Sequence, residues 1–170
     1  EHRMIADTAR QFMDNEVRPR VPELEKKDWK LARELVQKGA EVGFISATVP
    51  EEYGGGGADP LSYVLLIEEI SRADAGVGVT LAVHTSAGTL PILNHGTEEQ
   101  KTRWVPDLAS GAKIGCFALT EPEAGSDAAA IQTRAEKVSG GYQISGHKQW
   151  VTNGRVAGTM ILFARAPEGI

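Results

Sequence analysis

In Ile114-Gly115-Cys116-Phe117-Ala118-Leu119 the apolar side chains of this chain change from a helical period to a period of two. Every second side chain from Ile114 onwards falls on the same face of an extended strand, whereas upstream the apolar residues recur at three- and four-residue steps. The sequence therefore predicts an α+β chain in which helices and strands are segregated. We place an all-α N-terminal helical domain at residues 1–112 and a β domain at residues 113–170.

The helical half carries its own start and stop signals. Asp59-Pro60 reads as an N-cap followed by proline at the first helical position, and Thr97-Glu98-Glu99-Gln100 reads as a capping box. Residues 75–94 are almost free of charge, which predicts a helix buried on most sides and ended by Asn94-His95-Gly96. The glycine run Gly54–Gly57 predicts a flexible link.

The β half contains one tight turn and one further apolar strand. Gly140-Gly141 separates residues 134–139 from residues 142–145 and predicts a hairpin, and Met160-Ile161-Leu162-Phe163 predicts another strand. About four strands leave open edges, so we interpret this half as an incomplete β-barrel-like domain. Because the chain begins without Met and stops within residues 166–170, we expect it to be a piece of a longer protein.

Bulk composition narrows the classes of function. The formal net charge is -5, so no general field attracts nucleic acid or anionic lipid, and any phosphate must be held by local groups. A single cysteine, Cys116, permits no intrachain disulfide and favours a reducing, cytoplasmic location. No run of about 18 apolar residues is present, so we expect no membrane-spanning helix.

Two segments of the β half carry groups suited to a flat ligand. One runs from Cys116 to Asp127, where a strand enters a turn whose Gly125-Ser126 amides can hold an anion or a carbonyl-rich ring. The other is Trp150-Val151-Thr152-Asn153-Gly154, in which the indole offers a flat face and the threonine a donor. Such turns and tryptophans are also common in ordinary loops and packing, so these residues alone leave a ligand site undecided.

Taken together, the two segments resemble the signature stretches of acyl-CoA dehydrogenases. The matching residues are Leu119-Thr120-Glu121-Pro122-x-Ala124-Gly125-Ser126-Asp127 and Gly146-x-Lys148-x-Trp150-Val151-Thr152-Asn153. Supporting matches at residues 50–55, 68–72 and 96–101 extend the similarity, in order, over essentially the whole chain. The resemblance implies the helical N-terminal domain and the start of the middle domain, with the family's C-terminal helical bundle absent from this chain. Residues 115–119 look most like the short-chain, butyryl-type branch.

The resemblance also implies FAD as cofactor, and it predicts which residues of this chain would bind it. The cofactor-binding residues would be Phe117, Ala118, Leu119, Thr120, Gly125, Ser126, Trp150, Val151 and Thr152. Amides of the first four would face the pyrimidine edge of the flavin, where negative charge builds on reduction. Trp150 would lie along the ring and Thr152 near N5, the hydride acceptor. Ser126 would contact both the flavin phosphates and the CoA part of the substrate.

The implied reaction removes a proton from the α carbon and a hydride from the β carbon of an acyl-CoA thioester. In the family the base is a glutamate of the C-terminal bundle, so we assign no catalytic residue to this chain and expect the chain alone to be inactive. Glu121 matches a structural glutamate of the motif. The implied partners are acyl-CoA, an electron-transfer flavoprotein as electron acceptor, and further copies of the chain, commonly in a tetramer.

Three alternatives stay open at this point. An acyl-CoA oxidase or a flavin monooxygenase would use the same scaffold, and a non-catalytic assembly module would retain no FAD. A serine hydrolase built on Ser126-Asp127 is disfavoured because the Gly-x-Ser-x-Gly elbow is absent. The four histidines show no metal spacing, and His84 and His95, eleven residues apart, are typical of a helix surface and a helix end, so no metal site is predicted.

Overall fold

A computed structural model describes residues 2–167 and has the expected order of a helical half followed by strands. The α-helices are α1 His2–Phe12, α2 Val21–Leu24, α3 Trp29–Glu41, α4 Pro60–Ala73, α5 Ala75–Val83, α6 Leu90–His95 and α7 Glu98–Ala109. The strands are β1 Gly115–Ala118, β2 Arg134–Val138, β3 Gly141–Ser145 and β4 Thr159–Leu162.

The helical half packs around a core that follows the helical spacing of the sequence. In α1 and the turn after it, Ala9, Met13 and Val17 recur at four-residue steps and are essentially inaccessible to solvent. They pack with buried side chains of α3, α4 and α5, among them Leu31, Leu35, Val36, Leu66, Ile70 and Leu81. An ion pair between Arg10 and Glu69, 2.7 Å from Nη2 to Oε1, fixes α1 to α4.

Both predicted helix starts are confirmed by their hydrogen bonds. The Asp59 carboxylate accepts from the amides of Leu61 and Ser62 at the start of α4. At the start of α7, the Thr97 hydroxyl accepts from the amide of Gln100, whose side chain in turn accepts from the amide of Thr97. These bonds satisfy backbone donors that have no partner within the helix.

Residues 75–95 form one continuous helix, in which a π-helical turn, His84–Thr89, joins α5 to α6. By length and composition alone this helix could cross a membrane, although the sequence contains no run of about 18 apolar residues. Core helices of soluble proteins pass the same test, and here Leu81 and Ile92 are buried against other parts of the chain. Most residues of this helix are buried or half-buried, as expected, and Val79, which is 48% exposed, lies on its open side.

The glycine run is a compact, hydrogen-bonded loop and not the flexible link that we expected. The amides of Gly56 and Gly57 donate to the carbonyls of Ser46 and Val49 at 3.0 and 2.9 Å. A Cβ at Gly55 would lie 1.9 Å from the Val49 carbonyl oxygen, so only glycine permits this approach. The acceptors come from the preceding segment, which the composition of the run does not reveal.

The β half meets the helical half where β1 crosses the π-helical turn. A Cβ added to Gly88 would lie 2.7 Å from the Cα of Gly115, so the two backbones pack at glycine-to-glycine distance. His84 is fully buried beside this crossing. Its Nδ1 accepts from the Gly115 amide at 3.0 Å, and its Nε2 lies 3.1 Å from the Leu108 carbonyl oxygen of α7. The interpretation of His84 as a helix-surface residue was therefore wrong, whereas His95 does end α6.

The strands form two separate pairs. β1 pairs with β4 in parallel, from Gly115 opposite Thr159 to Ala118 opposite Leu162. β2 and β3 form the expected antiparallel hairpin, with the turn residue Gly140 at φ 82°. Within residues 2–167 the strands close no barrel, in agreement with the incomplete β domain that the sequence predicts.

The environment of His84 predicts a specific dependence of stability on pH. Burial lowers the pKa of His84 to about 4, and a second proton on the ring would oppose the Gly115 amide that Nδ1 accepts from. As pH falls from about 6.5 to about 4, the unfolded chain takes up a proton at this residue before the folded protein does, so the free energy of unfolding decreases. The contribution of this residue is on the order of 3 kcal/mol.

Urea denaturation of the protein and of His84→Gln at pH 7 and pH 4.5 measures this contribution. Glutamine has both a donor and an acceptor but does not titrate. We expect the drop in unfolding free energy to be clearly smaller in His84→Gln and unchanged in the control His95→Gln. An equal drop in all three proteins would contradict the assignment.

Candidate flavin-binding site

The two segments singled out in the sequence meet just beyond the end of β1. The Gln149 amide donates to the Thr120 carbonyl oxygen at 2.9 Å, and the Gln149 side chain donates to the Glu121 carbonyl oxygen at 3.2 Å. The Lys148 ammonium donates to the Leu119 carbonyl oxygen at 2.8 Å. Three consecutive peptide carbonyls of the first segment are thus held by two consecutive residues of the second.

A buried ion pair lies at the centre of this junction. The Lys148 ammonium is 2.7 Å from Glu121 Oε1, and the side chains are 9% and 4% exposed. The Glu121 carboxylate also accepts from the backbone amides of Gln132 and Thr133. Burial by itself would raise the pKa of Glu121, but these hydrogen bonds outweigh it and lower the pKa to about 2. Glu121 is therefore ionised and fully occupied inside the chain.

Beyond Glu121 the first segment turns back on itself and opens towards solvent. The amides and carbonyls of Glu121 and Ala124 are hydrogen bonded to each other at 2.9 and 3.2 Å. Gly125 and Ser126, which follow at once, are both exposed. Within residues 2–167 the Ser126 hydroxyl has no hydrogen-bond partner, and thus none among the described histidines. This hydroxyl is free for a ligand within the described part of the chain, where no histidine forms a hydrolase-like pair with it.

Trp150 presents its ring to solvent from an uncommon backbone conformation. The residue is 83% exposed and has φ 58°, in the left-handed region that residues with a side chain rarely adopt. A large exposed aromatic side chain on a locally strained backbone is more typical of binding sites than of folding cores. Val151 and Thr152, which follow, are half-buried.

Asn153 fixes the turn that contains Thr152. Its side-chain amide donates to the carbonyl oxygens of Thr80 in α5 and Gly115 in β1, at 3.0 and 3.2 Å. Its backbone is left-handed, with φ 66°, which asparagine tolerates better than most residues. The sequence assigns no role to Asn153 or Lys148, although both stand in the quoted motif. The only local signal for Asn153 is an asparagine before a glycine in a turn.

The remaining candidate residues contribute unequally. Phe117 packs its ring against Phe163, 5.1 Å between centroids, and Ala118 is fully buried with its carbonyl bonded to the Phe163 amide. Leu119 and Thr120 are half-buried, and the Thr120 amide has no acceptor among residues 2–167. The side of the segment available to a ligand therefore starts at Leu119 and Thr120, and the two residues before them mainly build the sheet.

A cavity of about 290 Å³ lies behind the turn, on the side of the helical half. It is lined by α3, α5, the residue before β1 and the turn itself, through residues that include Val36, Thr80, Ile114, Val151 and Val156. The turn is thus held by the hydrogen bonds of Asn153 more than by close packing beneath it.

Comparison with known proteins gives matches over nearly the whole chain. The model "Acyl-CoA dehydrogenase, N-terminal domain" matches residues 1–112, and "Acyl-CoA dehydrogenase, middle domain" matches residues 116–170. An acyl-CoA dehydrogenase of Bacillus subtilis (strain 168) is 48% identical over 169 residues, which cover 99% of this chain and 44% of the relative. A short-chain specific acyl-CoA dehydrogenase of Clostridium acetobutylicum is 41% identical, with coverage of 96% and 43%.

Solved structures of acyl-CoA dehydrogenases also match nearly the whole chain. The crystal structure of an acyl-CoA dehydrogenase from Bacillus anthracis complexed with FAD superimposes with a TM-score of 0.94 at 42% identity, covering 98% of this chain and 29% of that one. The chain therefore spans less than half the length of the relatives described here.

Two substitutions of Asn153 separate the contribution of its hydrogen bonds to stability from that of its left-handed backbone. We expect Asn153→Ala to lower the free energy of unfolding by about 2–3 kcal/mol, since it loses two hydrogen bonds and strains the left-handed backbone. Asn153→Gly loses the same bonds without the strain, so we expect a cost of about 1–2 kcal/mol. Denaturant titrations of both variants test this, and two losses below about 0.5 kcal/mol would show that the bonds contribute little.

Proposed function

Because the chain belongs to the acyl-CoA dehydrogenase family, we propose that it supplies the N-terminal part of an FAD-dependent enzyme that α,β-dehydrogenates acyl-CoA thioesters. The observation that carries the proposal is the junction of the two signature segments, which leaves an exposed indole at Trp150 next to the Thr120 amide, a donor with no acceptor among residues 2–167. An aromatic face together with unpaired donors suits a flat ring with a carbonyl-rich edge.

The charges around the junction also fit a flavin. Reduction places negative charge on the pyrimidine edge of the ring, so a free carboxylate there would oppose the reaction. The Glu121 carboxylate instead accepts hydrogen bonds from Lys148 and from two backbone amides inside the chain. The exposed Ser126 hydroxyl offers a donor for phosphate or for the CoA part of the substrate.

Within this proposal FAD supplies the hydride acceptor, and the residues of the chain hold the ring in place. Trp150 would cover part of the ring, the Thr120 amide would donate to its pyrimidine edge, and the Thr152 hydroxyl would donate near N5. Glu121 is unsuited to be the base, because a carboxylate with a pKa of about 2 is weakly basic near neutral pH and its oxygens are occupied. The base is a glutamate outside residues 1–170, and this chain alone is inactive.

The proposal extends to partners and location. The substrate is a short-chain acyl-CoA, which is supported by the name of the Clostridium acetobutylicum relative. An electron-transfer flavoprotein accepts the electrons, and the complete protein is a homotetramer in the cytoplasm. These points rest on family resemblance and on the single buried Cys116.

An absorption spectrum of the complete protein, purified without added cofactor and recorded before and after butyryl-CoA, tests the proposal. We expect flavin bands that bleach without oxygen. Bands that persist would indicate a different substrate, and bands that bleach and then return at once in air would indicate an oxidase or a monooxygenase. A colourless protein that FAD cannot reconstitute would refute the proposal and favour a non-catalytic assembly module.

Trp150, Thr152 and the Thr120 amide form what we call the exposed face. Substitutions there separate ring stacking from hydrogen bonding. We expect Trp150→Ala and Thr152→Ala each to weaken FAD retention in the complete protein by about tenfold, because the ring loses contact area or a donor. Thr152→Ser keeps the hydroxyl and should bind normally. Tyr142→Ala removes another exposed aromatic ring, on the β2–β3 hairpin, and is the matched control. FAD content and flavin spectra that do not change in either alanine variant would refute the assignment.

A further inference from the structure

Lys148 is held rigidly between two acceptors. Its ammonium lies 2.8 Å from the Leu119 carbonyl oxygen and 2.7 Å from Glu121 Oε1, and its side chain is 9% exposed. The Glu121 carboxylate in turn accepts from the amides of Gln132 and Thr133, which anchors it on the far side of the pair. The lysine ammonium has three donors, and two of them are used by the Leu119 carbonyl and the Glu121 carboxylate.

The carbonyl that Lys148 contacts belongs to the peptide group that ends in the Thr120 amide. A cation hydrogen bonded to a peptide oxygen draws electron density from the peptide nitrogen, so the N–H of the same group becomes a stronger donor. The Thr120 amide has no acceptor among the described residues, 2–167. The strengthened donor is therefore available to whatever binds at the exposed face.

We propose that Lys148 is a positioning residue that acts through the Leu119–Thr120 peptide group to raise the reduction potential of the flavin bound beside it. This inference rests on the proposed function, since it requires FAD at the exposed face. The negative charge of the reduced ring lies at its pyrimidine edge, so a donor aimed at that edge favours the reduced form over the oxidised form. The charge of Lys148 reaches the flavin through one peptide group, without contact between the two.

The hydrogen bonds of Glu121 explain why its negative charge does not cancel the polarisation of the Leu119–Thr120 peptide group by Lys148. The carboxylate accepts from Lys148 and from the amides of Gln132 and Thr133, so its negative charge is stabilised by donors that do not touch the Leu119 carbonyl as well as by the lysine. The ammonium faces the Leu119 oxygen directly. Glu121 fixes the lysine, and the lysine polarises the peptide group.

Reduction potentials of the complete, FAD-loaded protein test the inference, measured anaerobically against reference dyes. The variants are Lys148→Met, which removes the charge, and Lys148→Arg, which keeps it. Lys113→Met is the control, because Lys113 also forms an ion pair, 2.8 Å from Asp107 of α7, and belongs to neither of the two segments. Circular dichroism at the measuring temperature verifies that each variant is folded.

We expect Lys148→Met to reduce the preference of the protein for reduced over oxidised FAD by about tenfold, seen as a more negative potential. Lys148→Arg should restore most of the preference, and Lys113→Met should leave it unchanged. If Lys148→Met does not fold because it strands the Glu121 charge, the double variant Glu121→Gln, Lys148→Met removes both charges and should show the same negative shift.

A normal potential in folded Lys148→Met, or in the double variant, would overturn the inference and leave the lysine with a structural role alone. Equal shifts in Lys148→Arg and Lys148→Met would also overturn it, because geometry and not charge would then govern the potential. A wild-type protein that binds no FAD refutes the proposed function itself, and this outcome is recognised before any variant is compared.

Discussion

The close crossing of β1 over the π-helical turn is the constraint on which the rest of the structure depends. Two glycines, Gly88 and Gly115, allow the backbones to touch, and the neutral ring of His84 binds the Gly115 amide on one side and faces the Leu108 carbonyl on the other. This crossing determines where β1 leaves the helical half. Both signature segments are attached at or beyond the end of β1, so their position relative to the helices follows from it.

Polar contacts then fix the exposed face relative to β1 and the helical half. Asn153 ties the second segment to Thr80 and Gly115, and Lys148 ties it to Leu119 and Glu121. The strained residue Trp150 lies between these two anchors, with its ring outwards. Local strain of this kind persists only where the surroundings over-determine the backbone, and the two anchors on either side of Trp150 provide that.

Features encoded by local sequence patterns were predictable, and contacts between distant segments were not. Three kinds of local feature depend on a few neighbouring residues, and the structure contains all of them. They are the change of period at Ile114, the caps at Asp59 and Thr97, and the hairpin at Gly140. The burial of His84 and the compact glycine loop depend on partners up to 31 residues away, as in the bond from Gly115 to His84. For the site, the motif shows which segments are involved. It does not reveal that Lys148 contacts the Leu119 carbonyl, because that contact joins two distant parts of the chain.

The parallel pairing of β1 with β4 has a consequence for the order in which the protein assembles. Gly115 lies opposite Thr159, so the pair forms only after the intervening residues, with the β2–β3 hairpin between them, have been synthesised. The contacts between α1 and α4, such as the Arg10–Glu69 ion pair, join residues that are synthesised before β1, so the helical half can begin to pack while the rest of the chain is still in the ribosome. Until Thr159–Leu162 emerges, one edge of β1 lacks its partner, and over that interval a nascent chain is exposed to misassociation at the strand that leads into Leu119 and Thr120.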